Sequence, residues 1–322
     1  MMRGYIRKRI TTGILTILFS FCLTFFLIRY APGNPIKVLA GTENPNPELI
    51  EHLTAKYGLD KSVPIQFANY MKNILNGDFG YSYMSNEPVS KLIGEKLFAT
   101  ILLTLTASVL SVVAGTLLGV YAARKAGSIF DRLMCSACYL FDAIPGFWLG
   151  LILILIFASK FKILPTSGMY DLRADYQGFA RVLDIVKHMI LPVATLFIIQ
   201  TPMYFRISRS SVLQTMSEDF ILTLRAAGMK ENKIFNKYVL RNAIIPTITK
   251  FSLSLAFMIS GVALIEIVFA WPGMGRLIMD AIMKRDYPLL TGVYLMISIS
   301  ICIVMIITDI IYALIDPRIR FE

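Results

Sequence analysis

Cys135 and Cys138 stand three residues apart, the spacing by which two thiolates grip zinc or exchange a disulfide. No second such pair occurs, and the two histidines, His52 and His188, are remote in the chain. Packing of small apolar side chains therefore reads better than metal or redox chemistry for this pair, as it does for Cys22 and Cys302. No metal site is expected. Three carboxylates, Asp142, Glu266 and Asp309, stand alone in long apolar stretches. An ionisable group in such a place marks a pathway by default, with an interfacial or capping role equally open to Asp142. Pro145-Gly146 and Trp271-Pro272-Gly273 break the apolar runs close to two of these acids. Asp142, Pro145, Trp148, Glu266 and Trp271 are thus candidate pathway or gating residues. The sequence holds no GxxxxGK[ST] to cradle ATP phosphates, no GxSxG and no HExxH. No catalytic constellation is expected, and no cofactor in this chain.

The elements that carry these residues are membrane spans. Of the 322 residues, 56% are hydrophobic and only 16% charged, against roughly 25% charged in a soluble domain. A spanning helix needs about 20 apolar residues, and six segments offer them: 10–28, 97–123, 133–159, 189–205, 251–270 and 289–315. The fourth is short and holds Pro192 and Pro202, so a broken or interfacial helix is open there. The first follows a basic start but lacks a small-residue cleavage site, and reads as a retained helix. Gly115 and Gly119, four apart in the second, suit close helix packing.

A net charge of +11 would suggest nucleic acid for a soluble chain, but here it reads as topology. With the N-terminus in the cytoplasm, inner segments hold 17 of the 32 Lys and Arg but only 6 of the 21 acids. This predicts N-in, C-in. Residues 1–30 are then a tail and first helix, 31–96 a helical extracellular insert, and 97–322 a five-helix core with a cytoplasmic loop at 206–250. Within the insert, 47–57 and 63–75 read as short helices, and Gly77 to Ser82 as a turn. Trp271 suits an interfacial belt.

The stretch 217–246 has its own pattern. Ser217 is a good N-cap, and Glu218 and Asp219 place negative charge in a first turn. Phe220, Ile221, Leu224 and Ala227 share one helical face, and Gly228 follows as a stop. A second helical pattern runs regularly from Glu231 and breaks near Pro246. A helix lying on lipid headgroups and a docking element for another protein are both open readings.

Leu224-Arg225-Ala226-Ala227-Gly228, followed by Leu240-Arg241-Asn242-Ala243-Ile244-Ile245-Pro246, resembles the cytoplasmic signature of ABC importer permeases. The likeness is to the dipeptide/oligopeptide/nickel group, on its B-subunit branch. Further blocks occur in the family's order: Ala31-Pro32-Gly33-Asn34-Pro35, Tyr57-Gly58-Leu59-Asp60, Gly77-Asp78-Phe79-Gly80-Tyr81-Ser82, Ile144 to Gly150, Val268 to Gly275, and Asp316-Pro317-Arg318. The general loop motif places EAA where Leu222-Thr223-Leu224 stand, so no role rests on that Glu.

The resemblance implies an all-α integral membrane protein of a bacterial or archaeal cell membrane. It implies a second related permease, two cytoplasmic ATPase subunits carrying ATP and Mg2+, and an external binding protein as partners, with no nucleic acid. The cargo it implies is di- or oligopeptides, with nickel or a metal chelate as the alternative; a secondary transporter or channel is the competing class. Ser217, Glu218, Asp219, Phe220, Leu224, Arg225, Ala226, Ala227 and Gly228 would form a coupling helix that docks an ATPase.

Overall fold

Runs of Leu, Ile, Val and Ala with few charges build long helices, and the glycine- and proline-rich seams between them set the corners. The computed structural model describes residues 2–33, 35–40, 47–260 and 262–315. In chain order the helices are α1 (Met2–Tyr30), α2 (Pro35–Ala40), α3 (Pro47–Lys56), α4 (Val63–Leu75), α5 (Val89–Arg124), α6 (Ile129–Ala143) and α7 (Gly146–Leu153). A π-helical stretch, Ile154–Lys160, continues α7. Then come α8 (Gly178–Met216), α9 (Asp219–Ala226), α10 (Glu231–Lys233), α11 (Leu240–Ala243), α12 (Ile245–Phe257), α13 (Ala263–Val268), α14 (Met274–Lys284) and α15 (Tyr287–Ile315). Among the described residues there is no strand, only one bridge between Tyr81 and Pro88. Asn34 and the Asp316-Pro317-Arg318 block lie outside the described residues, as does the side chain of Asp309.

Among the described residues, four helices are long and apolar enough to cross a membrane: Arg9–Tyr30, Val89–Arg124, Gly178–Met216 and Tyr287–Thr308. A fifth arises if Ile129–Ala143 and Gly146–Lys160, bent by 98°, act as one span. The expected kink at Pro145 is thus a full corner. Three expectations need correction. The segment 189–205 is the middle of a 39-residue helix that continues without a break through both prolines. Pro192 and Pro202 are buried there, and the hydroxyls of Thr195 and Thr201 donate to the carbonyls of Leu191 and Phe197 beside them. The segment 251–270 is not one helix but α12, a 3₁₀ turn at Met258–Ser260, and α13. Its sequence at Ser260-Gly261 is the weakest helix former of the run. Trp271 is wholly buried rather than placed at a headgroup belt.

The chain forms two compact units. The first holds residues 1–100, 259–263 and 272–322. Here α1 and α15 pair antiparallel: Ser20 Oγ lies 2.9 Å from Ser298 Oγ, and Cys302 Sγ donates to the Gly13 carbonyl at 3.6 Å. Phe67 and Tyr70 of α4 pack their rings against Phe21 and Phe25 of α1, stacked for Phe21–Tyr70 and edge-on for Phe25–Phe67, which seats the insert. Asp286 caps α15 by accepting from the Leu289 N–H at 3.3 Å. The same carboxylate accepts from Ser82 Oγ at 2.5 Å and the Tyr83 N–H at 3.1 Å, so it also fixes the predicted glycine turn.

The second unit holds residues 101–258 and 264–271. Its axis is the crossing of α5 with α8. A Cβ on Gly115 would lie 2.7 Å from Tyr204 Cβ, and one on Gly119 only 2.5 Å from the Phe205 carbonyl oxygen. The two backbones touch because these residues have no side chain. Across α6 and α8, Arg209 grips Asp131 with two parallel bonds of 2.6 and 2.8 Å.

Candidate functional site

The 217–246 stretch begins differently from its sequence reading. Helix α8 continues to Met216, and Ser217 is its last half-turn, with Oγ donating back to the Gln214 carbonyl at 2.7 Å. Its hydroxyl is therefore spent, and Glu218, in extended conformation, is the N-cap of α9 without a side-chain capping bond. Asp219 still supplies negative charge to the first turn. The far end matches the reading. Gly228 takes φ +74°, its N–H donates to the Arg225 carbonyl at 2.9 Å, and the Met229 N–H reaches the Leu224 carbonyl at 3.2 Å. These two bonds are a Schellman cap, which glycine adopts without Cβ strain.

Burial divides the helix into two faces. Ile221 is fully buried, and Leu224 is half-buried against the same cluster of Ala123, Val212, Ile234, Phe235, Val239 and Ala243. Sinking Ile221 there contributes about 1.5–3 kcal/mol to holding α9 in place. The rest of the helix is exposed: Phe220 at 40% and Leu222 at 67% flank Ile221, and Arg225, Ala226, Ala227 and Gly228 are exposed too, so of the four residues expected on one apolar face only Ile221 is buried and Leu224 half-buried. Ile221 and Leu222 join the residues expected in the coupling helix, and the i, i+3 spacing of Ile221 and Leu224 is the sequence signal for the anchor. An exposed apolar pair on a short, firmly seated helix offers a shape to a partner.

The strut behind α9 is not the regular helix expected from Glu231 onward. Residues Ile234–Val239 wind as a π-helix between α10 and α11. Its i to i+5 repeat lets Ile234 and Val239 share the buried side, which an α-helical register would part. Arg225 clasps Glu231 in a fork, Nε to Oε1 at 2.7 Å and Nη2 to Oε2 at 3.3 Å. That bonding raises the Arg225 pKa, and the exposed pair serves as a latch of orientation rather than of stability. Arg124 at the end of α5 donates to Asn232 Oδ1 at 2.6 Å and lies 5.0 Å from the centre of the Phe235 ring. Helix α9 is thereby wired to α5 and α8.

The candidate pathway residues fall at the end of α6, on α7 and on the segment from α13 to Trp271, and not on one face. Asp142 ends α6 and pairs with Arg206 of α8; Pro145 opens α7 and Trp148 lies on it, half exposed. Glu266 on α13 and Trp271 beyond it are fully buried. Helix α7 meets that segment closely, with a Cβ on Gly150 lying 3.0 Å from Phe269. Trp271 turns back through a 2.7 Å bond from its N–H to the Glu266 carbonyl, next to Ala270 at φ +47°.

The model of the family described as "Binding-protein-dependent transport system inner membrane component" matches residues 115–321, and that of its N-terminal part matches 1–104. Among curated proteins, the di/tripeptide transport system permease protein DppB of Pseudomonas aeruginosa (strain UCBPP-PA14) is 34% identical over 335 aligned positions, covering 100% of both chains. The oligopeptide transport system permease protein AppB of Bacillus subtilis (strain 168) is 33% identical over 321, covering 99% of this chain and 100% of that one. Among solved structures, a chain of the MetNI methionine ABC transporter in inward-facing conformations aligns with a TM-score of 0.55 at 16% identity. It covers 71% of this chain and 99% of that one, a likeness of fold alone. The chain therefore belongs to the family of binding-protein-dependent transport system inner membrane components, the ABC importer permeases, on the branch that holds DppB and AppB.

Proposed function

We propose that this permease forms half of the path through which an ATP-driven importer moves di- or oligopeptides. A second, related permease completes the path. An external binding protein delivers the cargo, and two cytoplasmic ATPase subunits bind the ATP and Mg2+ that this chain does not. Helix α9 is the coupling helix: Phe220, Leu222, Arg225, Ala226, Ala227 and Gly228 face an ATPase, while Ile221 and Leu224 hold the helix to the permease. The carrying observation is the two-faced burial of α9. The peptide cargo is supported by the family branch and by what the two named relatives transport.

Six spans with both termini inside are supported by contacts within each unit. In the first, α1 and α15 run antiparallel, so the start of one lies beside the end of the other. In the second, Arg124 meets Asn232, which brings the loops at the two α9-side ends together. At the other end of α8, the Gly168 N–H bonds the Phe269 carbonyl at 2.8 Å, and the Asp171 N–H bonds Asp184 at 2.6 Å. Since α8 covers about 58 Å, the bent pair α6–α7 and the broken pair α12–α13 each have to travel between those ends. This supports reading both as spans, and with the positive-inside pattern it supports reading 31–96 as an external insert.

The test is the double change Arg225→Glu with Ala226→Asp, made on the exposed face so that the fold is spared. Assembled with its partners, the variant loses about tenfold or more of peptide uptake, either with ATP hydrolysis uncoupled or with the ATPases no longer co-purifying. Normal assembly with wild-type uptake would remove α9 from the role.

A further inference from the structure

The first unit contains a polar cavity that the transport reading does not use. It measures about 460 Å³ and lies where α1, α3 and α4 meet the turn after Gly77, a volume in the range of small-molecule sites. Three cations line it, Arg29, Lys56 and Lys61, against one carboxylate, Asp78. That carboxylate is already engaged, accepting from the Gly80 N–H at 2.8 Å.

Arg29 is the residue that asks for a ligand. Its Nε donates to Gln66 Oε1 at 2.9 Å, and its guanidinium carbon lies 4.5 Å from the Phe25 ring centre and 4.9 Å from that of Tyr287. Gln66 is itself fixed by donating to the Lys61 carbonyl at 2.9 Å. One guanidinium nitrogen, Nη1, is buried and meets no hydrogen-bond partner among the described residues. A half-buried cation with no carboxylate paired to it among the described residues is costly, and a purely structural arginine is normally satisfied. The two lysines are exposed and stand at the rim, where they raise the local concentration of anions. Tyr70 and Tyr83 add phenols to the wall. Burial raises both pKa values, that of Tyr83 to about 12, so both stay phenols; Tyr70 donates to the Phe79 carbonyl at 3.5 Å, and the Tyr83 hydroxyl can donate a hydrogen bond to an oxyanion.

We propose that this cavity binds a small anionic ligand through an oxyanion group, with Arg29 at its base and Lys56 and Lys61 at its mouth. The group is a carboxylate or a phosphate; a peptide's C-terminal carboxylate is one source and free inorganic phosphate another. The site rests on the first unit alone and does not depend on what the importer carries.

The test uses the full chain with its partner subunits in nanodiscs, without the binding protein. Titration calorimetry compares Ala-Ala, Ala-Ala amide and inorganic phosphate. Ala-Ala binding, with the amide about tenfold or more weaker, supports a carboxylate ligand, and phosphate binding as tightly as Ala-Ala supports a free oxyanion. Either affinity falls with rising salt and by about tenfold in the double variant Lys56→Gln, Lys61→Gln, whose exposed positions spare the fold. Arg29→Gln abolishes binding while Arg29→Lys keeps part of it; should Arg29→Gln fail to fold, the lysine variant decides. No heat from either anion, equal binding of acid and amide with no phosphate binding, or an unchanged affinity in the lysine variant overturns the proposal.

Discussion

Asp131 loses nearly all its contact with water, and four groups repay it: the two Arg209 nitrogens, the Gly127 N–H at 3.0 Å and the Cys135 thiol at 3.7 Å. Removing the carboxylate alone strands Arg209. Because the Arg209 side chain keeps 27% of its surface exposed, Asp131→Ala costs about 2–3 kcal/mol, below the usual range for a fully buried pair. The double change Asp131→Leu with Arg209→Met costs less than the single one, since no charge is left behind. Folded fraction followed through an SDS titration reads both, and a double variant less stable than Asp131→Ala would refute the account. The pair was not legible in the sequence, because 78 residues separate its members. Its local half was: Ser128 accepts from the Asp131 N–H at 3.2 Å, the Ser-x-x-acid signature of a helix start. Gly228 was legible for a similar reason, a single residue type suiting a single backbone conformation. Ser217 was misread because a hydroxyl can cap a start or bond back to an end, and only the length of α8 decides between them.

Helices α5 and α8 hold together by backbone approach, a geometry with no slack. Leucine at Gly115 or Gly119 has to push the two axes apart. Overpacking of this kind costs about 1–3 kcal/mol or more, and the Ser108–Gln200 bond of 2.9 Å along the same seam goes with it. Gly94 lies on the same helix with no atom within 4 Å of its would-be Cβ. Gly94→Leu is therefore the control. The expected result is monodisperse protein at near wild-type yield for Gly94→Leu and a severalfold loss for Gly119→Leu; equal yields would disprove the contact. At this scale the sequence was readable wherever a local rule dominates. The glycine pair marked the crossing, and Pro145-Gly146 marked the corner between α6 and α7. The insert helix α4 has the bounds expected from Pro64 and Leu75. It was opaque where tertiary packing overrides periodicity, as in the break between α12 and α13 or the π-helical turn behind α9.

For the molecule as a transporter, everything depends on which side α9 occupies, since an ATPase can dock only in the cytosol. Residues 172 and 222 flank α8, a single long helix, so they belong on opposite sides however the other segments are counted. Leu172 and Leu222 are both well exposed, at 83% and 67%, and suit single-cysteine labelling once Cys22, Cys135, Cys138 and Cys302 are replaced. With an impermeant maleimide on intact cells that express the permeases without the ATPase subunits, which would cover residue 222, Leu172→Cys reacts at once, and Leu222→Cys only after permeabilisation. Lys125→Cys follows Leu222→Cys, because Arg124 and Asn232 are hydrogen-bonded and their loops must share a side. If Lys125→Cys instead labelled with Leu172→Cys, the bent pair α6–α7 would be a re-entrant loop and the six-span count would fall to five. If Leu222→Cys labelled in intact cells, the positive-inside reading would be inverted and α9 would lose its ATPase. The two failures leave different labelling patterns, so one set of three variants tests both the path of the chain and the side from which it is driven.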